Sequence, residues 1–345
     1  MLAKSLQLTS DFSIDALEYR ETNIPEPQAD EVLVRIRAVS LNYRDLMVVR
    51  GHYNPRVQKP LTLCSDAAGE IAAIGSNVTG LKEGDRVVTS FFLDWNDGPI
   101  QSNNPWPSAL GEAQQGVLTD YRVLPSHSLV KIPDSLSFAA ASTLPCAGVT
   151  AWNALTRFQP ITGDSTVLLQ GTGGVSIFGL QIAYALGART ILTSSSDEKL
   201  ARARTLGADE TINYRTTPEW DRAVRYLTGK RGVTHVLEVG GAGTMPLSIR
   251  AAAPGGLVAL IGVLSGTEQP LNLLPLLMHS LQLQGIHVGS TVMLRDLVQF
   301  YTEHQLKPVV DRTFLFTEAQ QALRALEGAG HFGKLVITLD DSASN

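Results

Sequence analysis

Residues 166–176 read TVLLQGTGGVS, and this stretch decides the fold. Its first five residues form a largely apolar run that ends at a glycine, a pattern typical of a strand buried on both faces. Gly171 permits a tight turn, and Gly173 lets the backbone approach a bound pyrophosphate. Because a helical pattern begins at Gly174, the order strand, turn, helix predicts dinucleotide binding at a helix N-terminus.

The glycine turn has one departure from the usual motif. A third glycine is common there, but Ser176 occupies its place. We therefore expect slightly looser packing between helix and strand at this point. Taken alone, the glycines are also compatible with an ordinary flexible loop. The residues predicted to hold the dinucleotide are Gly171, Thr172, Gly173, Gly174 and Val175.

Short strands and helices alternate around this turn. Strands alternating with helices of this length predict a doubly wound parallel α/β sheet. Further strands are predicted at residues 189–194, 235–240 and 257–263, and helices at 174–186, 197–206, 220–228 and 244–253.

The first 130 residues have a different, β-rich texture. Residues 31–39 alternate with period two, which is the pattern of a strand with two unlike faces. Residues 92–116 carry Asn, Pro, Gly and Trp without a period, so we expect a long surface excursion of the kind that often forms a lid. Other strands are predicted at residues 68–75, 85–89 and 334–339, and further helices at 294–304 and 317–327.

Composition narrows the class of protein. The 345 residues carry a net charge of -5 without a basic block, which argues against a nucleic-acid partner. Two cysteines cannot build a disulfide framework. No apolar run reaches membrane-spanning length and no secretory signal is visible, so we expect a cytoplasmic protein without a membrane partner.

The end of the strand at 189–194 addresses the choice between NAD and NADP. An Asp or Glu usually follows the glycine turn by about 20 residues and bonds the ribose hydroxyl of NAD. Here the strand ends in Ser194, Ser195 and Ser196, with Lys199 one helical turn later. Hydroxyls and a cation suit a 2′-phosphate and favour NADP (NADPH). The serines are also good helix caps, and Asp197 or Glu198 can reach toward a ribose hydroxyl.

Seven blocks along the chain match a known family in its own order: EVLVRIRAVSLNYRDLMVVRGHY (31–53), SDAAGEIAAIG (65–75), LKEGDRVV (81–88), LPCAGVTAWNAL (144–155), LLQGTGGVSIFGLQIAYALGA (168–188), LGADETINY (206–214) and HFGKLVI (331–337). On these blocks the chain resembles the medium-chain dehydrogenase/reductase superfamily over essentially its full length, and within it the zinc-independent quinone oxidoreductases. The resemblance implies an α/β protein with a GroES-like β-barrel catalytic domain, residues 1–130 and 286–345, and a Rossmann dinucleotide-binding domain, residues 131–285.

The resemblance also implies that no metal is bound. Zinc-dependent members bind their catalytic metal through two Cys and one His, whose positions here hold Asn42, Ser65 and Cys146. An amide and a hydroxyl are poor zinc ligands. Two alternatives remain open: Cys146 is a small buried residue, or it forms an improvised site with Asp66 and His52.

Without a metal, other groups must hold the substrate carbonyl and supply a proton. The resemblance implies that Asn42, Tyr43 and Tyr53 are the catalytic residues, with an amide, an aromatic face and a phenol. A phenol near pKa 10 is a reasonable acid toward an enolate. Asp45 is expected to be structural and to bond backbone donors in its turn. For both tyrosines, half-buried packing is the alternative.

Further cofactor contacts carry over by position. The resemblance places Thr150 near the nicotinamide, Tyr214 and Lys199 at the adenosine phosphate, and the C-terminal segment over the cofactor. Tight α/β turns would also require several of these residues without any ligand. The full set is Thr150, Tyr214, Val239, Gly240, Gly241, Ile261, Gly262, Val263, Gly333 and Lys334.

These features together predict an NADP-dependent oxidoreductase that transfers hydride between NADPH and a quinone, enone or enal without zinc. The alternatives are an alcohol or aldehyde dehydrogenase of the same superfamily, and a non-catalytic NADPH-binding protein. The resemblance implies a homodimer through a strand at about residues 281–290. We expect residues 92–116 and 273–283 to determine which acceptor the protein uses.

Overall fold

The computed structural model describes residues 1–100 and 104–339. They form two compact units, one of residues 1–149 with the chain from Val288 onward, the other of residues 150–287. Residues 131–149, which the sequence assigned to the Rossmann domain, belong to the first unit. They do so because the helices at Phe138–Ala141 and Leu144–Gly148 contact strands of its main sheet.

The strands are β1 (Leu2–Leu8), β2 (Leu17–Asn23), β3 (Glu31–Ser40), β4 (Leu61–Thr62), β5 (Asp66–Ile74), β6 (Arg86–Thr89), β7 (Tyr121–Pro125), β8 (Leu129–Lys131), β9 (Thr166–Gln170), β10 (Arg189–Ser194), β11 (Glu210–Asn213), β12 (Val233–Glu238), β13 (Ala252–Leu260), β14 (Gln282–Gly285), β15 (Val310–Leu315) and β16 (Lys334–Thr338). The α-helices are α1 (Tyr43–Val49), α2 (Phe138–Ala141), α3 (Val149–Thr156), α4 (Gly174–Ala185), α5 (Asp197–Thr205), α6 (Trp220–Leu227), α7 (Met245–Ala251), α8 (Leu274–Met278), α9 (Thr291–Glu303) and α10 (Ala319–Glu327), and a π-helix spans Leu144–Gly148. Within the described ranges, no helix has the length and apolar character needed to cross a bilayer.

The second unit is built on a parallel sheet in the order β11-β10-β9-β12-β13-β14. The order reverses between β9 and β12, the point at which such sheets bind ligands. Its inner strands are buried on both faces, with Leu168, Ile191, Val236 and Val258 fully inaccessible. The predicted doubly wound sheet is confirmed.

The first unit is built mainly from antiparallel strands in the order β15-β16-β3-β5-β6-β8, with β7 also paired to β3. In β3, Val32, Val34 and Ile36 are buried while Arg35 is exposed, as the period-two pattern predicts. Strand β16 pairs with β3, so the C-terminal strands extend a sheet begun near the N-terminus. A smaller sheet has the order β2-β1-β4.

The segment 92–116 is not a surface excursion throughout, and that expectation was wrong for its two ends. Phe92, Trp95 and Leu110 are buried, and the Phe92 and Trp106 rings meet edge to face at 5.6 Å. Aromatic side chains favour this burial because each one removes a large apolar area from water, although the residues between them are polar. Residues 101–103 lie outside the described residues.

Candidate active site

The glycine turn after β9 leaves an open space at the start of α4. Gly171 has φ +72°, a conformation that favours glycine. Gly173 has φ -75°, and a Cβ added there would meet no heavy atom within 4 Å. Neither backbone conformation nor packing therefore requires glycine at 173. A missing side chain beside unbonded helix N–H groups fits an anionic ligand such as a pyrophosphate.

The position of the third glycine is filled without loss of packing, so the expected looseness at Ser176 was wrong. Ser176 is buried, and its hydroxyl donates to the Gln170 carbonyl at 2.5 Å. The close approach of helix to sheet occurs at Gly179, where a Cβ would lie 2.6 Å from Leu237 and 2.9 Å from Leu169. The sequence analysis missed Gly179, although its place one turn into a helix after a glycine motif was visible.

A buried polar network ties together the ends of β9 and β12, the two strands at the switch point. Gln170 donates to the Glu238 carboxylate and to the Ser248 hydroxyl, both at 2.7 Å. Glu238 also accepts from the Gly240 and Gly241 amides at 2.8 and 2.9 Å. The sequence analysis missed this network. Its signal was a charged residue inside an otherwise apolar strand, since a buried carboxylate must find donors.

The glycines after β12 and β13 are required by the protein itself. A Cβ on Gly240 would lie 2.3 Å from the Thr244 hydroxyl, and one on Gly262 would lie 2.4 Å from the Val239 carbonyl oxygen. Gly241 has φ +84°. These positions behave as tight α/β turns do, and whether they also contact a dinucleotide stays a prediction.

The end of β10 presents hydroxyls at the start of α5. The Ser196 hydroxyl accepts from the Lys199 amide at 3.4 Å and caps the helix, as the alternative interpretation expected. Ser194 accepts from the Ser196 amide at 3.3 Å. The Asp197 carboxylate accepts from the side-chain amide of Asn213 at 2.8 Å. Asp197 is one of the two acids considered for a ribose hydroxyl, and it already has this partner within the protein.

In the first unit, Asn42 lies directly before α1. The Asp45 carboxylate accepts from the backbone N–H of Asn42 at 2.8 Å, which satisfies an otherwise unbonded donor at the helix start. The predicted structural role of Asp45 is confirmed. Burial raises the pKa of Asp45, while the neighbouring Arg44 lowers it. Asn42 itself is buried, so its side chain needs partners in the interior.

Lys334 supplies the partner of the Asn42 side chain. Its ammonium is buried and donates to Asn42 Oδ1 at 2.5 Å and to the Leu41 carbonyl. The Asn42 amide lowers the pKa of Asp66, although among the described residues its Nδ2 makes no hydrogen bond of normal geometry. Asp66 accepts from the Ser65 hydroxyl at 2.6 Å and from the Cys146 amide at 2.9 Å. The resemblance implies that Lys334 contacts the cofactor, whereas in the structure its ammonium is bonded to Asn42 and to the Leu41 carbonyl.

Arg44 lies beneath Tyr53, a contact that the sequence analysis missed. Its guanidinium is 5.9 Å from the Tyr53 ring centre and 4.5 Å from that of Phe91, and it donates to the Leu110 carbonyl at 2.7 Å. Its Nε and Nη1 are buried and make no hydrogen bond with any described residue. Burial raises the pKa of Tyr53, and the Arg44 charge opposes that rise. No sequence signal fixes such a contact between two residues nine positions apart.

Of the three predicted catalytic residues, Tyr43 and Tyr53 are exposed at 50% and 39%, and Asn42 is at 7%. Asn42 and Tyr53 both adjoin the buried charges of the first unit, Asn42 through Lys334 and Tyr53 through Arg44. Tyr43 opens α1 with its ring half in solvent. The predicted cofactor residue Thr150 is buried at the start of α3.

The residues at the metal-ligand positions do not fit zinc. Asn42 Oδ1 is taken by an ammonium, and the Ser65 hydroxyl by Asp66. Burial and then the Asp66 charge raise the pKa of Cys146, which opposes the thiolate that a metal needs. Among residues 1–100 and 104–339, no three His, Cys, Asp or Glu side chains are placed to hold a metal ion, so the improvised site with His52 is not formed.

Comparisons with known proteins agree with this architecture. Residues 28–134 match the alcohol dehydrogenase GroES-like domain, and residues 174–303 match the zinc-binding dehydrogenase family. A zinc-type alcohol dehydrogenase-like protein of Schizosaccharomyces pombe is 41% identical over 94% of this chain and 96% of its own length. A quinone oxidoreductase of Pseudomonas aeruginosa is 34% identical over 79% of this chain and 77% of its own.

Solved structures give the same result. The crystal structure of a candidate alcohol dehydrogenase of Sinorhizobium meliloti superposes with a TM-score of 0.92 at 43% identity, covering 98% of this chain and 99% of that one. Sequence blocks, both domain matches and the full-length superposition point the same way. The chain is an oxidoreductase that belongs to the medium-chain dehydrogenase/reductase superfamily.

Proposed function

We propose that this protein reduces a conjugated carbonyl compound, a quinone, enone or enal, with NADPH and without a metal. The observation that carries the proposal is the set of groups around Asn42. The zinc-ligand positions hold an amide, a hydroxyl and a partly buried thiol, and the hydrogen-bond donors offered there are the buried Asn42 Nδ2 and the partly exposed Tyr53 phenol. Donors of this kind suit an oxygen that becomes negative during the reaction.

The second unit has the features that a dinucleotide needs. Gly173 leaves the space for a pyrophosphate, and the helix start beyond it supplies N–H groups. The hydroxyls of Ser194, Ser195 and Ser196 and the cation of Lys199 suit the 2′-phosphate of NADPH. Bound NADPH would supply a hydride, and the chain's own residues then have to hold the acceptor and move a proton.

In the first unit, the Asn42 amide would donate to the acceptor oxygen and the Tyr53 phenol would supply the proton. Hydride addition to the β-carbon of an enone moves an electron pair onto the oxygen and leaves an enolate. The phenol, kept protonated by a raised pKa, then gives its proton to the α-carbon or to the oxygen. The products are the saturated carbonyl compound and the oxidised cofactor.

The same donors explain why a conjugated acceptor is favoured over a simple ketone. Reduction of a simple ketone concentrates charge on an alkoxide, which a metal ion stabilises well. An enolate or a quinol anion is less basic because its charge is delocalised. Two neutral hydrogen-bond donors match that smaller demand.

An alcohol or aldehyde dehydrogenase is the second candidate, because several of the similar proteins carry alcohol dehydrogenase names. Such an enzyme would reduce the carbonyl carbon itself and give an alcohol. The residues at the zinc-ligand positions, which do not fit zinc, favour the first candidate, and a quinone oxidoreductase is among the similar proteins.

Self-association is a further part of the proposal. Strand β14 lies at the edge of the parallel sheet, beside a helix whose apolar side chains are exposed: Leu277 at 75% and Met278 at 70%. An uncovered sheet edge next to an apolar patch is a favourable surface for a second copy of the chain. We propose that two copies associate there as a homodimer.

Steady-state NADPH oxidation against a panel of quinones, enals and simple aldehydes tests the proposed function. We expect turnover with the conjugated acceptors, unchanged after treatment with a chelator. Reduction of the simple aldehydes that disappears with the chelator would contradict the proposal. Tight NADPH binding without any turnover would instead indicate a non-catalytic protein.

A further inference from the structure

The buried contact between Lys334 and Asn42 determines which way the Asn42 amide faces. An ammonium has three donors and no acceptor, so the atom bonded to it must be the amide oxygen. The 2.5 Å contact therefore assigns Oδ1 to the lysine side and leaves Nδ2 on the opposite side. The oxygen and nitrogen of an Asn amide are similar in size, so they are assigned from their hydrogen-bond partners, and a lysine partner makes that assignment unambiguous.

The charges around this amide are arranged as two opposite pairs. Arg44 and Asp45 form one, at 3.4 Å between Nη2 and Oδ1. Lys334 and Asp66 are the other charges, both buried, and the Lys334 charge lowers the pKa of Asp66. Asn42 Oδ1 contacts the lysine, and the Asn42 side chain lowers the pKa of Asp66, so a rotated amide would direct an NH₂ toward the ammonium and an oxygen toward the Asp66 side. Both changes bring like partial charges together inside the protein, where they are costly.

We propose that Lys334 is a positioning residue that fixes the Asn42 amide with Nδ2 as the donor to the acceptor oxygen. The inference rests on the proposed function, because it assumes that Asn42 donates to that oxygen. It assigns Lys334 a task other than contact with the cofactor. Lys334 is 4% exposed, and its ammonium is already bonded to two acceptors, the Leu41 carbonyl and Asn42 Oδ1.

The proposal is tested first by Lys334→Met, which keeps the length of the side chain and removes its donors. We expect kcat for enone reduction to fall by about tenfold or more, within the range lost when one oriented donor is disturbed. The dissociation constant of NADPH should change by less than about twofold, because the proposal gives Lys334 no contact with the cofactor. A tenfold change would instead correspond to ~1.4 kcal/mol of lost contact. Lys4→Met, the same change at an exposed position of β1, is the control.

A double-mutant cycle shows whether Lys334 acts through Asn42. In an Asn42→Ala background, Lys334→Met should reduce kcat by less than about twofold, because the group it positions is already gone. Equal losses in both backgrounds would overturn the proposal. A large rise in the NADPH dissociation constant with unchanged kcat would also overturn it, and would assign Lys334 to the cofactor instead.

Asn42→Asp tests the donor itself. A carboxylate keeps an acceptor for Lys334 but turns its second oxygen toward the buried Asp66, so the melting temperature should fall; it has no N–H, so kcat of the folded protein should fall as well. Preserved kcat in this variant would mean that the Nδ2 donor is not used, which would overturn the proposal.

A readout independent of turnover keeps this test distinct from the proposed function. The side-chain amide signal of Asn42 in ¹H–¹⁵N spectra, assigned by its loss in Asn42→Ala, should shift and exchange faster with solvent in Lys334→Met. An unchanged signal would overturn the positioning role. If the wild-type protein reduces no conjugated acceptor but this signal responds, the proposed function fails while Lys334 still orients the amide.

Discussion

Tyr53 shows how one residue can combine access to solvent with a fixed protonation state. Its side chain is partly exposed, yet burial of the remainder raises the pKa of its phenol. The Arg44 guanidinium beneath the ring holds the side chain in place through a cation–π contact at 5.9 Å. A phenol held protonated at neutral pH can donate a proton and is a poor base.

Tyr53→Phe should therefore lower kcat for enone reduction by roughly 10²-fold, the lower part of the range for a lost general acid. The NADPH dissociation constant should stay nearly unchanged. Wild-type activity should be insensitive to pH near neutrality and should decline only as pH rises above the ordinary tyrosine value of 10, because the donor is then deprotonated. A variant with wild-type kcat would remove Tyr53 from the mechanism.

Lys199 addresses the cofactor preference at the same scale. Lys199→Ala should weaken NADPH binding by about tenfold or more, the loss of a charge-assisted contact, and leave NADH binding almost unchanged. Arg204→Ala, an exposed cation on the same helix, is the matched control. Fluorescence titration with both nucleotides measures the effect, and equal losses for NADPH and NADH would contradict the NADP assignment.

At the residue scale, the sequence predicted the structural role of Asp45, which accepts from a backbone donor in its turn. The catalytic roles of Asn42 and Tyr53, which the resemblance implies, stay predictions. Arg44 beneath Tyr53 and Lys334 on Asn42 were not predicted as such. Both contacts depend on rotamers and on chain segments that meet only in the folded protein, 292 positions apart in the second case.

The element that matters most is the turn between β9 and α4. Its strand and helix bounds match the prediction to within one residue because the apolar pattern and the glycines agree locally. The looser packing expected at Ser176 is not found, because its buried hydroxyl bonds the Gln170 carbonyl, a tertiary detail that no pattern encodes. The Glu238 network was missed for the same reason.

Gly173→Ala and Gly232→Ala should have opposite effects. The added methyl at 173 meets no protein atom within 4 Å. The free energy of unfolding should therefore fall by under ~1 kcal/mol, the small cost of replacing a glycine at a helix cap, and the melting temperature should change little. NADPH should bind at least about tenfold more weakly, because the methyl enters the space for the pyrophosphate.

Gly232 is the matched control for this turn. It has φ +87°, and a Cβ there would lie 2.7 Å from the Ala251 carbonyl oxygen. Gly232→Ala should lower the melting temperature and leave NADPH affinity of the folded protein unchanged. The account of the turn fails if Gly173→Ala binds NADPH as the wild type does.

At the scale of the whole molecule, the two units divide the predicted tasks. The unit of residues 150–287 has the parallel sheet and its glycine turn, while the other has the buried amide and phenol. The compact units divide after residue 149, whereas the sequence places the domain boundary at residue 131, because the short helices in between have no composition that distinguishes one unit from the other. Alternating texture predicted the architecture, but not which sheet each short helix would join.

The proposed dimer also belongs to this scale. Leu277→Glu combined with Met278→Glu should convert a dimer into a monomer, because charges placed in an apolar interface oppose its burial. Sedimentation velocity of the wild type and of the variant measures the change. A wild type that sediments as a monomer at micromolar concentration would contradict the proposed association.

The position at which hydride enters an enone tests the central claim most directly. Chelator-treated protein is given a conjugated enone and NADPH deuterated at C4, with the 4R and 4S forms used separately, and the product is analysed by NMR. We predict a saturated ketone that carries deuterium at its β-carbon with one of the two forms. An allylic alcohol with deuterium on the former carbonyl carbon would contradict the account and identify an alcohol dehydrogenase.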